Sequence, residues 1–295
     1  MRNSSQSQAA SLLSRLAPRP PQPPKESFSR AGRNLWLAVP TGLIALAVVG
    51  LSLFIRIEFF VVLVIVALGI ALWEMAGAVM ARQFTIPLIP LLIGQTAMLI
   101  ASWTHGLGIG VVIYFVTCAV AIAWNARRPM GVTDALVGCF SLGWIGLVGT
   151  FAIAMAAMPN GALVIVAFIL LPVANDTGGW LAGILFGRHP IAPSISPKKS
   201  WEGFAGSVAA ALLIAWLMCG LVLGMAWYWV LAFAVVTPIF ATAGDFAESL
   251  LKRDLTVKDM GSLFPGHGGM LDRIDSILFC APVCYLLFAL GFGLL

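Results

Sequence analysis

The chain has 295 residues, of which 60% are apolar in the widest sense and only 10% are charged. Its mean hydropathy of +0.99 is far above that of water-soluble domains, in which about 25% of residues are charged. These values exclude a disordered protein, a secreted disulfide scaffold and an ordinary cytosolic enzyme. Apolar runs of roughly 20 residues, the length that a bilayer requires, recur along nearly the whole chain. We therefore predict an all-α, polytopic transmembrane helical bundle.

The basic residues are confined to one tail and to the short gaps between apolar runs, although the formal net charge is +5. This distribution argues against a nucleic-acid partner. It is typical of residues that set membrane orientation or contact anionic headgroups and phosphates. The five cysteines all lie inside apolar runs and lack metal-ligand spacing, so we predict that they are reduced packing residues.

Residues 1–34 differ in composition from the rest of the chain. Five prolines stand there among Ser, Gln and Arg, a composition that favours an extended, unfolded segment. The apolar run that follows is too long and too deep in the chain for a secretory signal peptide. We predict a solvated cytoplasmic arm, followed by one membrane domain over residues 35–295.

The membrane domain contains nine predicted spans. Their approximate bounds are 35–54, 59–80, 84–103, 107–125, 134–157, 161–186, 204–224, 226–247 and 274–294. A cytoplasmic N-terminus places 16 of the 17 Lys and Arg residues on the cytoplasmic side and leaves only Arg56 outside. This asymmetry fits the positive-inside rule, and we expect a multi-pass protein of the cell (inner) membrane with its active site on the cytoplasmic side.

Two long polar gaps, about 187–203 and 248–273, fall on that same side and are the predicted catalytic loops. Asp272, at the end of the second gap, and Asp275, at the start of the ninth span, are three residues apart and share a helical face if the ninth helix begins near Leu271. The residues that share a second predicted helical face are Asp245, Glu248, Ser249 and Lys252. Two carboxylate-bearing helix ends suit a hard divalent cation, Mg²⁺ rather than Zn²⁺.

Cations and glycines accompany these acids. Because Mg²⁺ usually shares its shell with substrate phosphates, nearby basic side chains can neutralise those phosphates. The candidates are Lys252, Arg253, Lys258 and Arg273. The glycine-dense turn over 264–269 lets backbone N–H groups approach an anion closely. The alternative is a solvated cytoplasmic loop with charge pairs.

A second group of candidates surrounds the first gap. Asp176 lies near the sixth span; at a helix centre an ionisable side chain costs roughly 2.5–3.5 kcal/mol and is functional by default, whereas near the cytoplasmic mouth the cost falls. It is followed by Ser196-Pro197-Lys198-Lys199, which we interpret as a rigid turn that presents cations to an anion. A basic anchor for lipid headgroups is the alternative for the two lysines.

These motifs resemble the signature of the phosphatidate cytidylyltransferase (CDP-diacylglycerol synthase) family. The gap-free match consists of Ser249, Lys252-Arg253, Lys258-Asp259, Pro265-Gly266-His267-Gly268-Gly269 and Asp272-Arg273-Ile274-Asp275. Gly244-Asp245, Ser196-Pro197-Lys198-Lys199 and Glu202-Gly203 also follow the family's pattern. Ser200 stands where a Thr is more usual, which keeps the hydroxyl group.

The resemblance implies that CTP and phosphatidic acid react to give CDP-diacylglycerol and pyrophosphate, a step of phospholipid biosynthesis. It also implies a Mg²⁺ requirement, allows a monovalent cation such as K⁺ as a second metal, and suggests a homodimer. By similarity, the metal ligands are Asp245, Asp272 and Asp275. The catalytic set implied further contains Lys252, Arg273 and His267, and the substrate-binding set contains Asp176, Ser196, Lys198, Lys199, Ser200, Glu202, Ser249, Arg253, Lys258, Asp259, Gly268 and Gly269.

Elementary chemistry agrees with this reaction. The attacking phosphatidate oxygen is already ionised at neutral pH, so no strong general base is needed, and His267 could equally order the loop. Catalysis then reduces to aligning two anions and stabilising the charge of the leaving pyrophosphate.

Three rival functions remain open at this point. One is a CTP transferase that acts on another lipid phosphate, because apolar spans do not distinguish lipid tails. Another is a transporter or channel that uses Asp176 and Asp245 as ion sites, although the chain shows no internal repeat and its polar residues cluster in two loops. The third is a structural membrane scaffold, which would not need the glycine and acid motifs.

Overall fold

The computed structural model describes residues 17–21, 47–127, 131–193, 196–261 and 268–294, without the side chains of Pro197 and Lys198. Residues 47–55 are helical. The α-helices that follow are α1 (Ile57–Val79), α2 (Leu88–His105), α3 (Leu107–Ala126), α4 (Val132–Leu142), α5 (Val148–Ala156), α6 (Gly161–Phe186), α7 (Trp201–Ala215), α8 (Trp227–Asp254) and α9 (Leu271–Gly291). Two short strands, β1 (Pro190–Ala192) and β2 (Ser196–Ser200), lie between α6 and α7. A 3₁₀ turn extends α1 over Met80–Arg82, and π-helical segments cover Gly143–Leu147 and Trp216–Val222.

The predicted polytopic all-α architecture is confirmed. Within the described residues, eight helical stretches are long and apolar enough to cross a membrane, and they correspond to the second to ninth predicted spans. The largest difference is at α8, which continues to Asp254 and so takes up the start of the predicted loop 248–273. Most of the first predicted span and all of the arm except 17–21 lie outside the described residues.

Helix boundaries follow local backbone chemistry. Gly106, with φ +89°, separates α2 from α3, and Asn160, with φ 56°, precedes α6. The hydroxyl of Ser200 accepts a hydrogen bond from Gly203 N at 3.1 Å and caps the start of α7. Ser200 is therefore both the last residue of β2 and the N-cap of α7.

The predicted loop 187–203 contains a short antiparallel hairpin, which the sequence did not indicate. Pro190 pairs with Ser200, and Ala192 pairs with Ser196. Trp201 N also donates to His189 O at 2.9 Å, which extends the pairing to the first residue of α7. Lys199 therefore lies on a strand rather than in the predicted turn.

Helices α6 and α7 pack with their backbones in contact. A Cβ atom on Gly178 would lie 2.6 Å from Gly206 O, and one on Gly206 would lie 2.7 Å from Gly178 O. Small residues allow such close approach in membranes, where helix association depends on packing. This contact aligns the residues of α6 with the start of α7.

Helix α9 is shared by two apolar clusters. One draws mainly on α5 to α9, and in it the rings of Phe233 and Phe288 lie 4.5 Å apart. The other draws mainly on α1 to α5 and receives Leu271 and Leu278 from α9. The acid-bearing end of α9 is therefore supported by both halves of the bundle.

A short part of the arm contacts the membrane domain. The backbone of Arg19 lies on Gly77 of α1, so closely that a Cβ atom on Gly77 would overlap the Arg19 carbonyl oxygen. Gly77 itself is buried. The backbone of segment 17–21 thus contacts α1 at Arg19, although three of its five residues are exposed, and the predicted solvated arm over 1–34 stays a prediction.

Candidate active site

A cavity of about 330 Å³ lies between α6, α7, α8 and the hairpin. Its polar lining comes from Asn175, Asp176, Ser196, Lys199, Ser200, Ser207, Thr242 and Asp245. Apolar lining is provided by Trp180, Ile191 and Phe204. Its volume is at the lower end of the range for small-molecule sites, about 300–1,000 Å³. The first predicted loop and α8 therefore meet around one polar cavity.

Asp176 is held at the cavity wall by neighbours on α6 and α7. Asn175 Nδ2 donates to Asp176 Oδ1 at 2.9 Å. Ser207 Oγ in turn donates to the carbonyl oxygen of Asn175 at 2.7 Å. Sequence reasoning missed Asn175 and Ser207, because their roles depend on the contact between α6 and α7.

An ion pair between Lys199 and Asp245 joins β2 to α8 across the cavity. The two side chains are 30% and 22% exposed, so water still reaches the pair. Lys199 Nζ also lies 5.0 Å from the centroid of the Phe246 ring, within the range of a cation–π interaction. Lys199, a predicted substrate-binding residue, is thus in direct contact with Asp245, a predicted metal ligand.

Glu202 organises the turn that precedes the hairpin. Its carboxylate accepts hydrogen bonds from Arg188 N at 3.1 Å and His189 N at 3.2 Å, and it contacts His189 Nδ1 at 2.5 Å. It is not among the residues that line the cavity. The structure therefore gives this predicted substrate-binding residue a role in shaping the turn.

A second polar network lies where α8 and α9 meet. Lys252 Nζ lies 2.6 Å from Glu248 Oε2 and 2.6 Å from Asp272 Oδ1. Asp272, whose side chain is 5% exposed, also accepts from Met260 N at 3.0 Å and from Gly269 N at 2.7 Å. Three elements of the signature, the Lys, the Gly-Gly pair and the Asp, therefore meet in one network.

Several carboxyl groups gather in this network around Lys252. The carboxyl groups of Glu248 and Asp275 are in contact. Among the described residues, the buried atom Glu248 Oε1 has no hydrogen-bond donor. Asp176, Asp245 and Asp275 are also close enough to repel one another. A buried acceptor without a donor, beside further carboxylates, fits a hard cation with oxygen ligands.

The described residues do not by themselves form a metal cage. Among them, no three His, Cys, Asp or Glu side chains converge on one point in a way that could hold a metal ion. Mg²⁺ usually takes only one or two carboxylates and completes its shell with water and substrate phosphates. The carboxylates present are therefore compatible with a Mg²⁺ ion that substrate helps to bind.

Gly268 and Gly269 are required by their surroundings. Gly268 has φ +81°, and a Cβ atom on it would lie 2.9 Å from Asp272 Oδ2. A Cβ atom on Gly269 would overlap the carboxyl group of Glu74. The glycine pair thus passes between two carboxylates, one from α9 and one from α1.

The other predicted site residues surround this network or lie outside the described part. Ser249 is half-buried on α8. The exposed residues are Arg253, Lys258, Asp259 and Arg273. His267 and the side chain of Lys198 fall outside the described residues, so their predicted roles stay predictions.

Two further acids belong to this region but were not among the predicted site residues. Glu248 has a sequence signal, because it is four residues from Lys252 and shares its helical face. Glu74 lies in α1, where Leu271 N donates to its Oε2 at 3.0 Å. A distance of 197 residues along the chain separates these partners, so spacing in the sequence gives no signal for the contact.

Comparison with known proteins identifies relatives of the whole membrane domain. The profile of the "Cytidylyltransferase family" matches residues 36–290. The phosphatidate cytidylyltransferase of Mycobacterium bovis is 34% identical over 287 residues, which cover 91% of this chain and 93% of that protein. The phosphatidate cytidylyltransferase of Staphylococcus saprophyticus is 30% identical over 223 residues, with 74% and 85% covered. A chloroplastic relative from Arabidopsis thaliana, phosphatidate cytidylyltransferase 5, is 46% identical over 114 residues, covering 38% of this chain and 28% of that protein.

Proposed function

The chain belongs to the cytidylyltransferase family, and from this membership we propose how its residues transfer a cytidylyl group to a lipid. The reaction is that of its relatives: CTP and phosphatidate give CDP-diacylglycerol and pyrophosphate. The observation that supports this use of the site is the ion pair between Lys199 and Asp245, which brings a cation and an acid of two separate motifs to one cavity.

The transfer is an in-line displacement at phosphorus. An ionised phosphatidate oxygen attacks the α-phosphorus of CTP, and the bond between that phosphorus and the oxygen that bridges to the β-phosphate breaks. Pyrophosphate leaves with the electron pair of that bond. Because the nucleophile is already an anion, the site has to offset repulsion between two anions rather than remove a proton.

The chain's cations carry that task. Lys199 faces the cavity, and Lys252 lies between Glu248 and Asp272 in the polar network where α8 and α9 meet. We expect Lys199 to hold the triphosphate, with Lys252 and Arg273 at the phosphate groups nearer α9. Ser196 and Ser200 supply hydroxyl groups at the cavity wall. Asp245 keeps Lys199 in place until substrate phosphates compete for the ammonium group.

We propose that Mg²⁺ binds at this site through Asp245, Asp272 and Asp275, with K⁺ as a candidate second cation. When bound, Mg²⁺ supplies positive charge for the phosphate oxygens on which charge develops. The donor-free oxygen of Glu248 and its contact with Asp275 support a cation in this region.

We further propose that the site opens to the cytoplasm and that phosphatidate enters sideways from the bilayer. Its phosphate lies at the headgroup level, while CTP arrives from water, so a site at the inner mouth of the bundle reaches both. The apolar cavity residues Trp180, Ile191 and Phe204 would then face the lipid tails. The homodimer implied by the family resemblance stays a prediction.

A lipid-transfer assay tests the proposed function. Purified protein in detergent receives phosphatidic acid, labelled CTP and Mg²⁺, and label that enters the lipid phase is counted with and without EDTA. We expect labelled lipid and stoichiometric pyrophosphate, both lost with EDTA and restored by excess Mg²⁺.

Parallel reactions with isoprenoid and ether-linked lipid phosphates decide between phosphatidate and another lipid substrate. Labelling that persists unchanged in EDTA would contradict the metal proposal. An absence of labelling with every lipid phosphate, in a folded sample supplied with K⁺, would contradict the enzyme itself and favour ion transport through Asp176 and Asp245.

A further inference from the structure

Glu74 is a buried carboxylate in a helix that carries none of the signature motifs. Its side chain is 3% exposed. Its Oε2 accepts a hydrogen bond from the backbone N–H of Leu271, the first residue of α9, at 3.0 Å. The first N–H groups of a helix have no partner within their own helix, so a carboxylate there is a favourable acceptor.

The same carboxyl group is enclosed by two glycines. A Cβ atom on either Gly261 or Gly269 would overlap it. Residue 261 precedes segment 262–267 and residue 269 follows it closely, so Glu74 contacts the chain on both sides of that segment. Only residues without a side chain allow this approach, and both positions are glycine.

Asp272 contacts the same region. It accepts hydrogen bonds from Met260 N and Gly269 N, and its Oδ1 is 2.6 Å from Lys252 Nζ. Glu74 and Asp272 therefore both contact the chain at Gly269, and each also contacts it near residue 260, Glu74 at Gly261 and Asp272 at Met260 N. A shift of Gly269 or Leu271 would move Asp272 away from Lys252.

We propose that Glu74 is a positioning residue for the transfer reaction, fixing Gly261, Gly269 and the start of α9 so that Asp272 meets Lys252. The inference rests on the proposed function. Glu74 acts through Asp272 and touches no reacting atom. An apolar side chain could fill its place in the core of α1, but none could accept the hydrogen bond of Leu271 N.

Three variants test this role in purified full-length protein. Glu74→Ala removes the acceptor, Glu74→Gln keeps an oxygen that can accept from Leu271 N, and Gln95→Ala is the matched control. Gln95 is equally buried, at 1% exposure on α2. The measurements are kcat, KM for CTP and for phosphatidate, and hydrogen–deuterium exchange of residues 260–272.

We expect Glu74→Ala to lower kcat by roughly tenfold or more with little change in either KM, because misplacement by about 1 Å costs up to about 100-fold. Exchange over 260–272 should become faster. Glu74→Gln should recover kcat to within about threefold of the native enzyme, because the geometry of the hydrogen bond is kept. Gln95→Ala should change neither kcat nor exchange in 260–272.

Three outcomes would overturn the proposal: wild-type kcat and exchange in Glu74→Ala, an equal loss of kcat in Glu74→Gln and Glu74→Ala, or the same changes in Gln95→Ala. If Glu74→Ala does not fold, Gly261→Ala probes the contact from the loop side, and unchanged kcat there overturns the proposal too. The exchange measurement needs no turnover. A native protein without transfer activity would therefore contradict the proposed function, while the exchange comparison alone decides the role of Glu74.

Discussion

Asp272, a residue of the family signature, contacts both backbone N–H groups and a cation. Its carboxylate accepts from Met260 N and Gly269 N and contacts Lys252 Nζ. These three partners all donate hydrogen or carry positive charge. A neutral amide at this position would turn its own NH₂ group toward at least one of them.

The variant Asp272→Asn should therefore lower transfer by at least about 100-fold, the usual cost of removing one charged or polar group that stabilises a reacting phosphate or oxyanion. Membrane insertion and yield should stay unchanged, because the apolar spans are untouched. The measurement is the rate of labelled CMP transfer to phosphatidate in detergent.

The matched control for that variant is Asp254→Asn. Asp254 is the exposed last residue of α8, at the same end of the molecule, and loses the same charge. Near-native transfer by Asp272→Asn would show that Asp272 has no role in the reaction. A comparable loss in Asp254→Asn would show that the effect comes from the change in overall charge rather than from Asp272 itself.

Single residues were predictable where their partners are near in sequence. Glu248 and Lys252 share a face of one helix, and Asp272 is three residues from Gly269, so spacing alone brings them together. The pair Lys199 and Asp245 was predicted as two site residues but not as a contact, because it depends on how β2 lies against α8. Glu202 matches a motif, yet its carboxylate is occupied by the turn at 188–189.

The contact between α6 and α7 is the element-level feature that shapes the cavity. The backbones meet at Gly178 and Gly206; Gly178 is adjacent to Gly179, and Gly206 is about one turn from Gly203, and both of these neighbours line the cavity. An added methyl group at this contact has no room, and overpacking of this kind typically costs about 1–3 kcal/mol.

We expect Gly206→Ala to lower the melting temperature in detergent, whereas Gly69→Ala should leave it unchanged or raise it. At Gly69 the nearest atom to an added Cβ lies 4.0 Å away, so the same substitution there brings only the better helix propensity of alanine. Equal melting temperatures of the two variants would show that the α6–α7 contact tolerates separation.

Helices were predictable from the sequence where long apolar runs define them. The eight described spans follow from runs of apolar residues, since the bilayer fixes both their length and their composition. The β1–β2 hairpin was missed because Pro190–Ala192 is too short to show an alternating pattern. The π-helical segments carry no sequence signature that spacing could detect.

The orientation of the whole molecule in the membrane is a prediction from charge. With 16 of 17 Lys and Arg residues on one side, the end of α8 should face the cytoplasm and the turn between α2 and α3 should face outward. The native cysteines lie within the spans, and three of them are fully buried.

Cysteine labelling measures this orientation. In intact cells, a membrane-impermeant maleimide should label His105→Cys but not Asp254→Cys, and both should react once the membrane is opened. Both native residues are exposed, so accessibility on either side depends on the membrane alone. The native protein gives the background, and a reversed pattern would contradict a cytoplasmic active site.

The contact between Glu74 and Leu271 cannot form until the ribosome has made both residues. A distance of 197 residues separates the two, and at about 5–20 residues per second the ribosome needs roughly 10–40 s to make that stretch. During this interval α1 already holds an acidic group at the membrane while the N–H that it will bind has not been synthesised. This contact can therefore form only after nearly the whole chain has been made. A chain interrupted before α9 would therefore lack the hydrogen bond that Leu271 N donates to Glu74.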